Sequence, residues 1–134
     1  MEYNDEQVFC LNEKSAFIQY NKIRVVQIES NRCRVEALIT NVSKNIFGVV
    51  HGGLIYTMVD TAAGALARYG NPNRNVTITA SINYLLPAQN TEKLYADAHE
   101  VRRGNHIGVY CVEVVDDSGN TIAVATVTMS MGQK

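Results

Sequence analysis

At 134 residues, 46% of them hydrophobic and 19% charged, the chain is the size of one domain and long enough to bury a substantial core. A formal net charge of −1 leaves no basic excess, which argues against a nucleic-acid or anionic-membrane binder. Cys10, Cys33 and Cys111 lie far apart, with no Cys-x-x-Cys or Cys/His cluster, so neither a zinc site nor a disulfide framework is expected. The N-terminal MEYNDEQVFC is acidic, without the basic-then-apolar order of a signal peptide. No run approaches the ~20 apolar residues of a membrane span. The expectation is a single cytoplasmic domain over residues 1–134 with reduced thiols.

In chain order, residues 5–20 mix polar and apolar positions and predict one helix or two short ones. Strands are expected over 22–29 and 32–40, with Asn31 at the turn between them. In the second, Cys33, Val35, Ala37 and Ile39 alternate with Arg32, Arg34 and Glu36, the period of a half-buried strand. Residues 41–53 read as a loop. A helix follows between Gly53 and Gly70, with Pro72 reinforcing its end. Apolar or small residues occupy nearly all its faces, which predicts a buried helix, and Ala62, Ala63, Gly64, Ala65 and Ala67 allow close approach. Strands are expected at 76–86, 93–103, 106–116 and 121–131, with a hairpin turn at DDSGN. Short connections predict a four-strand antiparallel meander, and the sheet has to wrap the one long helix.

Within that helix Asp60 is the anomaly, a carboxylate among apolar and small residues. At 100° and 1.5 Å per residue, His51 and Asp60 lie half a turn out of alignment and ~13 Å apart along the axis. A dyad of these two within one chain is therefore geometrically poor, and a catalytic Asp60 would meet its partners across a subunit interface. Gly52 and Gly53 stand at the helix start. Backbone N–H groups there lack intrahelical acceptors, and the helix dipole adds positive potential. Such a start can polarise a carbonyl, glycine permits close approach, and the Asn45 amide lies just upstream.

The pattern Asn45, Gly48, His51-Gly52-Gly53 and Asp60 resembles the active-site signature of hotdog-fold acyl-CoA thioesterases of the phenylacetate-pathway type. INYLLPA at 82–88 and the stretch from Val101 to Met129 resemble that family's later strands, so the likeness covers roughly residues 22–131. It implies an α+β hotdog fold, an antiparallel sheet wrapped around one long central helix. It also implies a homodimer with active sites at the interface, usually a dimer of dimers, that is, a homotetramer. Carried over, Asp60 is the general base or nucleophile, Gly52 N–H with Asn45 polarises the thioester carbonyl, and His51 shapes the site or contacts the thioester. Thr77 is the hydroxyl that assists the attacking water, with Thr79 a competitor on the same strand face. Gly53, Arg102 and Arg103 bind substrate, the arginines through coenzyme A phosphates. Asn105 follows Gly104 where family members often carry a basic residue. Coenzyme A enters as part of the substrate, and no cofactor or metal is implied. Two alternatives remain open: a non-catalytic acyl-CoA or acyl-carrier binding module, and a hotdog hydroxyacyl-thioester dehydratase.

Overall fold

The computed structural model describes residues 11–133. Of the expected N-terminal helical segment, residues 5–10 lie outside the described residues. Residues 11–13 are helical, and after a break Ser15 caps a second short helix, α1 (Ala16–Tyr20). Two pieces form because the Ser15 hydroxyl accepts from the Ile18 N–H, the bond that starts a new helix. The Asn12 side chain bonds both N–H and C=O of Val25 in the first strand, at 2.7 and 3.0 Å, and so occupies backbone groups at a sheet edge.

The strands are β1 (Ile23–Ile28), β2 (Arg32–Leu38), β3 (Val76–Tyr84), β4 (Lys93–Arg103), β5 (Ile107–Asp116) and β6 (Thr121–Ser130). A 3-10 turn at Asn41–Ser43 interrupts the loop after β2, and the long helix α2 runs Gly52–Arg68. All strands join one antiparallel sheet in the order β1-β2-β4-β5-β6-β3.

That order corrects the expected four-strand meander. Of those four strands only β4, β5 and β6 are consecutive neighbours; β3 pairs with β6 at the far edge. The reason lies in the connections. The segment containing α2 carries the chain from β2 to the opposite edge, and the segment after Tyr84 carries it back to pair β4 with β2.

Alternation fixes which strand residues meet the helix. In β2, Cys33, Val35 and Ala37 are buried, and so are Leu94, Ala96 and Ala98 in β4 and Tyr110, Val112 and Val114 in β5. Burial and the nearby Asp97 push the Cys33 thiol up to about 12, so it behaves as an inert packing group. On the outer face Arg34 forks onto Asp97, and Glu36 takes Lys93 at 2.7 Å and Arg24 at 3.5 Å.

Helix α2 packs against all six strands. His51 caps its start, since Nδ1 accepts from Gly53 N–H. Its end is set by Gly70 at φ +76°, a left-handed position that glycine takes without strain. Leu54, Ile55, Met58, Val59, Ala62, Ala63, Ala65, Leu66 and Ala67 are buried. The helix is not covered on every side, however. Gly53, Tyr56, Thr57, Asp60, Thr61, Gly64 and Arg68 form a stripe at helical spacing that the sheet leaves open. One sheet cups one side of a helix, so a face remains for something else to cover. No helix among the described residues is long and apolar enough to cross a membrane.

Candidate active site

The loop before α2 is built by Asn45. Its backbone N–H donates to Val49 O at 2.8 Å, and its Oδ1 accepts from the N–H groups of Phe47 (2.9 Å) and Val49 (3.4 Å). Gly48 takes φ +77° to close the turn. With Oδ1 engaged, the Nδ2 end of the amide is left without an acceptor among the described residues. Ile46 and Phe47, at the tip, are 93% and 80% exposed.

Asn45 and Gly52 share a cavity of about 350 Å³, whose wall includes Val50, Tyr84, Leu85 and Leu86. The first N–H groups of the helix divide as follows. Gly53 N–H goes to His51 Nδ1 at 2.8 Å, and Leu54 and Ile55 N–H go to His51 O. Gly52 N–H has no acceptor among the described residues. The expectation that Gly53 meets substrate is thereby altered, because its N–H is taken and its open side faces the His51 ring. A Cβ there would stand 2.9 Å from His51 Nδ1.

Tyr84 is the residue that sequence reasoning undervalued, having used it only as a strand marker. Its ring covers Gly52, where an added Cβ would lie 3.3 Å from Cζ, and its hydroxyl donates to Gly52 O at 2.9 Å. Thirty-two residues separate the two, so no local signal announces the contact. Burial, with the neighbouring Tyr56, raises the Tyr84 hydroxyl above the usual tyrosine range.

Asp60 lies on the open stripe of α2, half-buried, and its Oδ1 accepts from Thr77 Oγ1 at 2.7 Å. Thr77 is the second residue of β3, at a bulge between Thr77 and Thr79. The bulge resets the alternation. Beyond it Ala80 and Ile82 pack inward, and Thr79 is exposed. Thr77 and Thr79 therefore do not share a face, which corrects the even-spacing expectation and leaves Thr77 as the hydroxyl on Asp60.

Asp60 and Gly52 are eight residues apart on one helix, so ~12 Å of helix axis separates them. The structure brings Asn45 to Gly52 and Thr77 to Asp60, but does not bring the two pairs together within one chain. His51 and Asp60 likewise do not meet, as the half-turn offset requires.

The two arginines differ. Arg103 donates to Glu100 Oε1 (2.6 Å), Ala67 O (2.9 Å) and Leu66 O (3.0 Å), so it caps the C-terminus of α2 rather than presenting an unengaged cation. The Arg102 side chain is exposed and makes no hydrogen bond or ion pair among the described residues. Among those residues no group of three or more His, Cys, Asp or Glu is arranged to hold a metal ion.

Comparison with known proteins agrees with this architecture. The profile of the Thioesterase superfamily matches residues 47–123. Human acyl-coenzyme A thioesterase 13 is 28% identical over 115 residues, covering 83% of this chain and 81% of its own length. The Escherichia coli PaaI protein of the phenylacetic acid degradation operon superposes with a TM-score of 0.88 at 21% identity, covering 96% of this chain and 92% of that one. A Streptococcus mutans protein, smu.793, solved bound to acetyl-CoA, superposes with a TM-score of 0.78 at 29% identity, covering 84% and 90%. With its six-strand antiparallel sheet around one long helix, the chain has the hotdog fold and belongs to the Thioesterase superfamily, the enzymes that hydrolyse thioesters.

Proposed function

We propose that the protein hydrolyses an acyl-CoA thioester to the free acid and coenzyme A, at sites shared between two copies of the chain. The observation that carries this reading is the separation of the two half-sites. One chain offers Asn45 and Gly52 beside a largely apolar cavity, and ~12 Å along the helix it offers Asp60 with Thr77. A twofold partner supplies to each half what its own chain cannot. A surface suited to that partner exists. β3 is an edge strand, and Val76, Ile78, Tyr84, Leu85 and Leu86 are exposed on and after it. The open stripe of α2 carries Asp60 on the same side of the fold as Thr77.

In the shared site the Gly52 N–H and the Asn45 amide hold the thioester oxygen, and their hydrogen bonds strengthen as negative charge develops there. The Asp60 carboxylate acts on the thioester carbon, by drawing a proton from a water or by attacking directly to give an anhydride that water then cleaves. In the first route Thr77 orients water and carboxylate together. Both routes return one proton to the departing coenzyme A sulfur and yield acid plus thiol. Arg102 offers an unengaged guanidinium for a coenzyme phosphate. The acetyl-CoA bound in the Streptococcus mutans relative and the name of the human one support coenzyme A as the carrier.

Subunit complementation tests this. Asp60→Asn and Asn45→Ala homo-oligomers should each be nearly inactive on an acyl-CoA panel read by thiol release. Refolded together at equal amounts, half of random dimers are mixed and each has one intact site, so about a quarter of wild-type activity should return. No recovery in verified mixed dimers would contradict a shared site.

A further inference from the structure

We infer that Tyr84 is a positioning residue, which acts through the Gly52–Gly53 peptide to hold the His51 imidazole with its proton on Nε2. The inference rests on the proposed role of the helix start in holding the thioester, and adds a third donor to the Gly52 N–H and the Asn45 amide.

The connection is a single chain of bonds. Tyr84 O–H donates to Gly52 O at 2.9 Å. That oxygen belongs to the same peptide unit as the Gly53 N–H, which donates to His51 Nδ1 at 2.8 Å. A bond at the oxygen end of an amide polarises it and strengthens donation from its nitrogen end. Since Nδ1 accepts, the neutral ring carries its proton on Nε2. His51 is exposed at the helix start, beside Gly52, so its Nε2–H is a donor available to an electron-rich atom of the thioester.

Two packing facts hold the chain of bonds in place. The Tyr84 ring fills the space over Gly52, and the His51 ring fills the space over Gly53, with added Cβ atoms meeting them at 3.3 and 2.9 Å. The paired glycines are thus the positions where two rings close on one peptide from both ends. A tyrosine hydroxyl keeps its proton at neutral pH, and burial raises that of Tyr84 further.

Long-range proton–nitrogen correlation of the imidazoles in nitrogen-15-labelled protein, with Tyr84→Phe as the variant, tests this. Wild-type His51 should give the Nε2–H pattern. In Tyr84→Phe, shown folded by its amide spectrum, the pattern should move toward a tautomer mixture and kcat should fall about tenfold with KM little changed. A wild-type Nδ1–H pattern overturns the inference without recourse to any variant. So does an unchanged tautomer in Tyr84→Phe, whatever the rate, or a changed tautomer with an unchanged kcat. Asp60→Asn separates the underlying reading. If that variant keeps its activity, the proposed site fails, while the tautomer result stands or falls on the spectrum alone.

Discussion

Replacing Arg103 by Met should separate the fates of two adjacent arginines. The Arg103 guanidinium donates to Leu66 O and Ala67 O at the end of α2 and to Glu100. The side chains of Arg103 and Glu100 are only 26% and 23% exposed, so water replaces these bonds in part. Hydrogen bonds to a charged group contribute ~1.5–3 kcal/mol each. Two of them at a helix C-terminus, discounted for exposure, come to about 3 kcal/mol. With an unfolding entropy of ~2.1 cal/mol/K per residue, a chain of this length should lose about 10 °C in Tm. The assay is thermal unfolding followed by circular dichroism, at one protein concentration because association raises Tm. Arg102→Met, by contrast, should leave Tm within ~1 °C and raise KM for an acyl-CoA severalfold. If Arg103→Met melts within ~2 °C of wild type, the capping argument is wrong.

Three further substitutions probe the site and the sheet. Gly53→Ala gains ~1 kcal/mol of helix propensity but sets a Cβ 2.9 Å from His51 Nδ1 and costs about as much by displacing the cap, so Tm should stay near wild type as kcat drops; a wild-type kcat would contradict the role given to the ring. Thr77→Val removes the donor to Asp60 and should lower kcat/KM by ~10–100-fold, whereas Thr77→Ser should stay near wild type. Lys93 holds Glu36 below the usual glutamate range, so the pair favours the fold above that range and the benefit is lost as pH falls through the lowered value. Glu36→Gln should therefore melt below wild type at neutral pH, with a gap that closes in acid; a gap constant with pH would refute the pairing.

What the sequence discloses follows from what periodicity can encode. Strands 93–103 and 121–131 stand out because Leu94, Ala96 and Ala98 in the one, and Ala125, Val127 and Met129 in the other, alternate with less buried residues, and β2 shows its buried Cys33, Val35 and Ala37 for the same reason. Alternation states which way a side chain points, not which strand lies beside it, so the placement of β3 against β6 is invisible locally. The bulge at Thr77 also hides from an even-spacing rule, since one extra residue inverts every face beyond it. Asp60, Asn45 and Gly52 are legible as an odd carboxylate and a polar, glycine-rich helix entry. Tyr84 on Gly52 and Arg103 on Leu66 are contacts between distant parts of the chain, made by the fold and not by any neighbouring residue. The open stripe of α2 misleads in an instructive way. In the sequence it is hidden among small and apolar residues that look like core, and in the fold it faces outward.

The reading turns on Asp60. The most direct measurement is single-turnover and steady-state hydrolysis of a good acyl-CoA substrate by Asp60→Asn, with the oligomer checked by light scattering. The expected result is an unchanged assembly and a rate reduced at least about a hundredfold, as for loss of a general base or nucleophile. A folded, correctly assembled Asp60→Asn enzyme turning over within a few-fold of wild type would contradict it.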